Sequence, residues 1–437
     1  MRKLFLLLFL LPLATLAQTK QITLEDIYKK GTFRGEFVRA DFGTAKTEAE
    51  VKVADLKDEN GKSIGEPEDI IRTDANPNTV LIRKDVERIY RRSSKAVIYL
   101  FDISSKKLIK LEDDKVIHPT FSPDGTKIAY VKNNNLVLYD IASKTSKAIT
   151  TDGEWNKIIN GNCDWVYEEE FEFTQAYDWS PKGNFIAYYK FDESKVKEYQ
   201  FTQFDDKYNN QYTYKYPKAG DDNSKVEIHI YDVASGKDVK AQYEQGDIYI
   251  PRIKWTKDDK TLVVYWMNRH QDNLKLLATN AQTGTANLLY EEKNKYFVEI
   301  NDDWWFLKDG KNFLFTSEKD GYRHLYLNSL DGKSSAQVTK GNFEITNIEA
   351  VDETNKRIFY TMAYPTPMDR NLFVTDFNGK KATQLTKGNG THRVQLNDDY
   401  TKFYDFYSDL NTPQIVTVHD IVVDKKKNIS TNLVKTV

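Results

Sequence analysis

The sequence predicts an all-β fold, an eight-bladed β-propeller with a short N-terminal helix and an inserted acidic loop or helical segment. Three observations predict it. From about residue 90 onward one unit keeps returning: a polar turn, an alternating apolar run, a second run closed by an Asp- or Gly-containing turn, and a short Thr-rich strand. Within each unit apolar residues alternate with period two, which is the pattern of a half-buried strand rather than of a helix. The composition agrees, since 27 Tyr and 23 Phe against 4 Met favour strands over helical bundles.

Taken from the start, residues 1–17 read as a secretory signal. Arg2 and Lys3 are followed by an apolar run from Leu4 to Leu13 and a small-residue exit at Thr15-Leu16-Ala17. The run is too short and too soon polar for a membrane span, and no other stretch approaches that length. The mature chain is expected to begin near Gln18 and to be exported, to a periplasm, a cell surface or the medium. Residues 18–40 form an N-terminal segment in which Ile22 to Tyr28 reads as a short helix. Thr23 is its expected N-cap, and Glu25 and Asp26 favour its first turn.

Residues 41–437 carry the repeats. The clearest copy runs Phe121-Ser122-Pro123-Asp124-Gly125, Lys127 to Val131, Leu136 to Asp140, then Ala148-Ile149-Thr150. Another runs Leu307 to Gly310, Phe313 to Thr316, Leu325 to Leu327, then Gln337-Val338-Thr339. A third closes on Gln384-Leu385-Thr386. A spacing of roughly 40–50 residues with about four strands per unit is that of propeller blades, and the span accommodates roughly eight. Two stretches break the rhythm, Asp152 to Tyr177 and Glu193 to Asp222. Insertions in a repeat array fall on loops of one face, often the binding face. The first insertion carries Asp164-Trp165-Val166-Tyr167-Glu168-Glu169-Glu170, a run of anions in a chain with 63 basic and 65 acidic side chains. A ligand amine would relieve the repulsion within such a run, and solvation on an open surface is the plain alternative.

The near-balanced charge, with no basic stripe or arm, argues against nucleic acid. One cysteine, Cys163, builds neither a disulfide framework nor a Cys-type zinc site. Large exported chains with no possible disulfide are bacterial in style. The string Gly61-Lys62-Ser63-Ile64-Gly65 has the form of a nucleophile elbow, but it lies between Asp58-Glu59-Asn60 and Glu66-Pro67-Glu68. An elbow needs a buried strand before it and a helix after it, so this string is expected to be a polar turn. The six histidines show no metal-ligand spacing, and neither a phosphate loop nor a dinucleotide fingerprint is present. No cofactor or metal is expected, and no catalytic residue is assigned.

The acidic run resembles the double-glutamate motif of the dipeptidyl peptidase IV family of serine exopeptidases. Tyr216-Pro217-Lys218-Ala219-Gly220, Trp266-Met267-Asn268-Arg269, Gly321-Tyr322-Arg323-His324 and Asn371-Leu372 follow in that family's order, and the resemblance extends from about Thr23 to the C-terminus. It implies an eight-bladed propeller followed by an α/β-hydrolase domain, with the active site in the cavity between them. It also implies that Glu169 and Glu170 grip the free α-ammonium of a peptide, so that two residues are removed, usually with Pro or Ala second. An arginine that holds a substrate carbonyl and the glutamates falls on Arg91, with Arg92 the competitor. The physical chemistry suits this assignment. An ammonium has three donors and no acceptor, and charge-assisted bonds are worth ~1.5–3 kcal/mol each.

The family's Ser, Asp and His lie in the hydrolase domain, which is expected to be absent from a chain ending at Val437. The expected role is the recognition or gating propeller of an exported dipeptidyl peptidase. Its expected partners are a peptide with a free N-terminus, a hydrolase domain and, as often in the family, a second copy in a homodimer. The alternatives are a free-standing, non-catalytic propeller that binds peptides or partner proteins, and a structural or carbohydrate-related propeller whose glutamates are merely solvated.

Overall fold

A computed structural model describes residues 21–34, 38, 42, 49–424 and 428–437. The expected signal at 1–17 lies outside them. The unit read from residues 121–150 shows how the pattern becomes structure. Its strands, Val116–Phe121, Lys127–Lys132, Asn135–Asp140 and Thr145–Ala148, pair antiparallel in that order. The first connection is tight because the Ser122 hydroxyl donates to Asp124 at 2.6 Å and accepts from the Lys127 N–H at 2.9 Å. Gly125 takes φ +69°, a conformation open to a residue without Cβ. Alternation then divides the side chains. Ile128, Tyr130, Val137 and Tyr139 pack toward the preceding sheet, and Ala129, Val131, Leu136 and Leu138 toward the following one.

The sequence pattern suggested strands with one buried face. Both faces of the inner strands are buried here, because each sheet packs against neighbouring sheets or, at the two ends of the series, against residues from the 38–64 stretch.

Seven antiparallel sheets built on four such strands follow one another among the described residues, spanning 69–110, 116–148, 177–240, 248–293, 304–337, 345–384 and 391–436, and the third gains a fifth short strand, Ile158–Asn160. The first two are linked by a short pairing of Lys95 and Ala96 with Ile117 and Val116. A hydrophobic cluster fills each interface between successive sheets. Val263, Tyr265 and Met267 of the fourth meet Trp304, Phe313 and Phe315 of the fifth, and Phe359, Leu372 and Val374 of the sixth meet Phe403 and Ile421 of the seventh. On the far side of the first sheet, Val51, Leu56 and Ile64 cover Val80, Ile82 and Phe101. On the far side of the seventh, Val38 and Phe42 cover Tyr404, Phe406, Val416 and Val418. The expected propeller class therefore stands. Seven of the eight expected blades are present as antiparallel sheets of four or five strands among the described residues, and the two outer flanks of the series are covered by residues from the 38–64 stretch.

The Thr-rich segments differ from expectation in one respect. The outer strands end at or before these threonines, and each threonine side chain extends the ladder by one bond. Thr150, Thr339 and Thr386 accept the backbone N–H of Leu136 (3.0 Å), Leu325 (3.0 Å) and Leu372 (2.9 Å). Near the N-terminus, helix α1 (Leu24–Tyr28) has the expected Thr23 cap. Its hydroxyl accepts from the Asp26 N–H, and Asp26 in turn accepts from the Thr23 N–H. Ser63 sits in an exposed turn, where its hydroxyl accepts from the Gly65 N–H at 3.1 Å, as its polar flanks led us to expect.

Candidate ligand-binding site

Both interruptions of the repeat belong to the third sheet. The first contains helix α2 (Trp165–Glu170), set between the strands Ile158–Asn160 and Tyr177–Trp179. Asp164 starts the helix by accepting the Tyr167 N–H at 2.9 Å. Its other oxygen accepts the Ser224 hydroxyl at 2.6 Å, and burial pushes its carboxyl above the ordinary carboxylate value. The helix stops at Phe171, and the next residue, Glu172, adopts φ +60°.

Side chains four apart share a helix face, so α2 presents four distinct pairs. Tyr167 and Phe171 enter the core against Phe191 and Tyr249, with ring centroids 4.8–5.4 Å apart. Asp164 and Glu168 are buried, and Glu168 is 1% exposed. Trp165 and Glu169 open onto a cleft of about 920 Å³. Val166 and Glu170 open onto a neighbouring one of about 550 Å³.

The helix is pinned from two sheets. Tyr167 accepts the Ile250 N–H at 2.9 Å, and the Phe171 carbonyl accepts from Arg252 at 2.7 Å. Arg252 also grips Asp302 through two bonds of 2.6 and 3.0 Å. These bonds hold Asp302 below the usual carboxylate range. From the first sheet comes the turn that joins strands Thr79–Arg88 and Ser94–Asp102. Its Arg92 and Ser93 N–H groups donate to Glu168 Oε1 at 2.6 and 2.8 Å.

The two candidate arginines sit on that turn. Arg91 Nε lies 3.2 Å from Glu169 Oε2, the guanidinium largely exposed and the carboxylate mostly shielded. Arg92 turns the other way and pairs with Glu172 at 2.9 Å. Arg91 and Glu169 are thus brought together. Glu170 is exposed one position further on and makes no ion pair with any described residue, lying instead beside Tyr249, Arg252 and Glu299.

The second interruption supplies the opposite wall. Strands Glu198–Gln203 and Asn210–Lys215 form a hairpin of their own. Tyr214 and Tyr216 pack at tilted angles against Trp165, with ring centroids 6.4 and 4.3 Å away, and Tyr90 lies 6.0 Å from Tyr214. Phe201, Tyr212 and Trp155 complete the aromatic lining. Behind this wall Glu193 is 5% exposed, and burial with the Asp164 charge close by pushes its pKa up to about 8.

Sequence reading missed Glu168 as the anchor of the arginine turn, and it missed the aromatic wall. The alternation of Tyr199 and Phe201, and of Tyr212 and Tyr214, was the available signal for the wall. The histidines occupy other places. His118 bonds Asn162 at 2.9 Å and burial lowers its pKa to about 4, and His392 bonds Asp405 at 2.8 Å in the seventh sheet. Among the described residues no helix is long and apolar enough to cross a membrane.

Residues 74–414 match the family described as the dipeptidyl peptidase IV (DPP IV) N-terminal region. Over 86% of its length the chain superposes on 55% of the crystallised dipeptidyl peptidase 4 of Porphyromonas gingivalis, with TM-score 0.76 and 32% identity. It is 28% identical over 351 residues to dipeptidyl peptidase 4 of Felis catus, and 27% identical over 315 residues to inactive dipeptidyl peptidase 10 of Mus musculus. The matched stretches cover 74% and 67% of this chain but 43% and 39% of those relatives, so the chain spans less than half of the curated relatives it matches. With 341 of 437 residues inside the family match, the chain belongs to the dipeptidyl peptidase IV N-terminal region family.

Proposed function

We propose that this chain is the substrate-recognition propeller of an exported dipeptidyl peptidase IV-like serine exopeptidase. It holds the free N-terminal ammonium of a peptide so that a hydrolase domain releases Xaa-Pro or Xaa-Ala dipeptides. The observation that carries the reading is the Glu169 carboxylate beside Arg91 at 3.2 Å, in an aromatic cleft and on the helix bearing the family's motif.

A peptide ammonium held by these consecutive residues of α2 would donate to Glu169 and to Glu170. Its third proton is left for a carbonyl or water. Arg91 supplies donors for the first carbonyl of the peptide while balancing the Glu169 charge. The surrounding rings reduce water access, which strengthens each charge-assisted bond. An acetylated N-terminus offers one neutral donor and leaves the carboxylates unpaired. Selectivity for free amines follows.

The test is calorimetric titration of the chain with a free-amine Xaa-Pro dipeptide and with its acetylated form. The free amine should bind at least about tenfold more tightly, the equivalent of one charge-assisted bond. The double variant Glu169→Gln, Glu170→Gln should erase the difference. Equal affinities in the unmodified chain would overturn the reading. Export belongs to the same proposal, and N-terminal sequencing of the secreted protein should find a start near Gln18.

A second reading, a binding module without catalysis, is favoured by the similarity to a relative named as inactive. Coding sequence downstream of Val437 separates the two. An in-frame G-x-S-x-G after a strand supports the peptidase, and a stop codon supports the binding module.

A further inference from the structure

Glu168 takes no part in the proposed clamp, yet it is the most buried of the three glutamates. One oxygen, Oε1, accepts both the Arg92 N–H (2.6 Å) and the Ser93 N–H (2.8 Å). No basic side chain pairs with it among the described residues. Two backbone amides converging on a buried carboxylate make a strong, directional joint.

The other backbone bonds of the turn close it on itself, from the Ile89 N–H to the Ser93 carbonyl at 2.9 Å and from the Tyr90 N–H to the Ser93 hydroxyl at 3.2 Å. Those bonds fix the shape of the turn but not its position relative to α2. The two arginine side chains could not fix that position. Arg91 is 72% exposed and reaches Glu169 through one contact, Arg92 reaches Glu172 through another, and exposed pairs of this kind barely offset the rotamer entropy they cost.

We propose that Glu168 is a positioning residue: by accepting the Arg92 and Ser93 N–H groups it sets the Arg91 turn against α2, so that Arg91 and Glu169 meet a ligand already in register. The proposal rests on the ammonium-clamp reading. Glu168 touches no ligand itself. Its carboxylate follows Asp164 by one helical turn, so the residue that caps the helix and the residue that docks the turn lie on one buried face.

The experiment compares the unmodified chain with Glu168→Ala, Glu168→Gln, Arg91→Ala and the double variant Glu168→Ala, Arg91→Ala. Amide hydrogen exchange at Arg92 and Ser93 reports whether the joint is made. Titration with the free-amine Xaa-Pro dipeptide and its acetylated form reports its consequence. Glu168→Ala should speed exchange at both amides and weaken free-amine binding by about tenfold, the loss of one well-placed charged contact. Glu168→Gln keeps an acceptor oxygen and should stay within about threefold of the unmodified chain. Because Glu168 acts through Arg91, adding Glu168→Ala to Arg91→Ala should cost nothing further.

Faster exchange with unchanged affinity in Glu168→Ala, or losses that simply add in the double variant, would overturn the proposal while leaving the clamp intact. Equal binding of the two dipeptides by the unmodified chain would overturn the clamp first, and Glu168 would then have no ligand to act on. If Glu168→Ala does not fold, Glu168→Asp replaces it, since its carboxylate is one methylene too short to reach the turn.

Discussion

Successive side chains leave an α-helix about 100° apart, so the three glutamates of α2 meet three environments. Glu168 is buried under the arginine turn, Glu169 faces that turn's guanidinium, and Glu170 opens onto the adjacent cleft. The same geometry separates the arginines. Arg91→Ala should lower the preference for free-amine over acetylated dipeptides in the calorimetric comparison. Arg92→Ala removes only an exposed pair with Glu172 and should change unfolding free energy by less than about 1 kcal/mol, with that preference intact. Glu193 yields a pH prediction. Its carboxyl ionises near pH 8 in the folded chain against an ordinary value of 4.5. Between those values the unfolded chain loses the proton while the folded chain keeps it, so this group's contribution is intact below pH 4.5 and is lost as pH rises toward 8. Thermal unfolding across that window should show a shallower decline for Glu193→Gln than for the unmodified chain. An unchanged slope would mean that the buried carboxyl is ionised throughout.

The repeating element is a four-stranded sheet, and in the second, fifth and sixth sheets a threonine just past the last strand adds one bond to the ladder. Residue patterning located the inner strands closely: Lys127 to Val131 and Phe313 to Thr316 were read from alternation, and the strands are Lys127–Lys132 and Asn312–Ser317. The outer strands were less legible. They are short, they lie at the rim, and their side chains are exposed, as in Thr145–Ala148 and Ser335–Gln337, so no apolar period marks them. What the pattern registered instead was the recurrent threonine, whose meaning is a hydrogen bond to a buried amide. Thr339→Val keeps the shape and leaves the Leu325 N–H unpaired in a fully buried position. Urea titration should show a loss of about 1–3 kcal/mol, the cost of a buried unsatisfied donor. A threonine fulfilling no such role would tolerate the change. Helix α2 was read as an excursion from the sheet because its anions follow no period of two, and its Asp164 cap was visible in the sequence only once the helix was known.

At the scale of the molecule, stability resides in the interfaces between sheets, each filled from both sides by alternating residues. Phe359 is fully buried where the sixth sheet meets the seventh. Phe359→Ala should cost about 3–5 kcal/mol. In an array whose units contact only their neighbours, hydrogen exchange should rise in Asn371–Asp376 and Lys402–Ser408 before it rises in the first sheet. Uniform loss of protection would show that the series unfolds as one unit. Sequence alone determined the sheet class, the repeat, the two insertions and the acidic run that resembles the family's motif, because alternation, turn chemistry and a specific run of residues are local properties. Only the tertiary structure decided which glutamate faces which cleft, which arginine meets Glu169, and that the blades are buried on both faces. Those facts depend on how α2, the turn at Ile89–Ser93 and the hairpin at 198–215 come together. The contacts join residues about 75 positions apart in the chain, such as Ser93 and Glu168, and no local period records them.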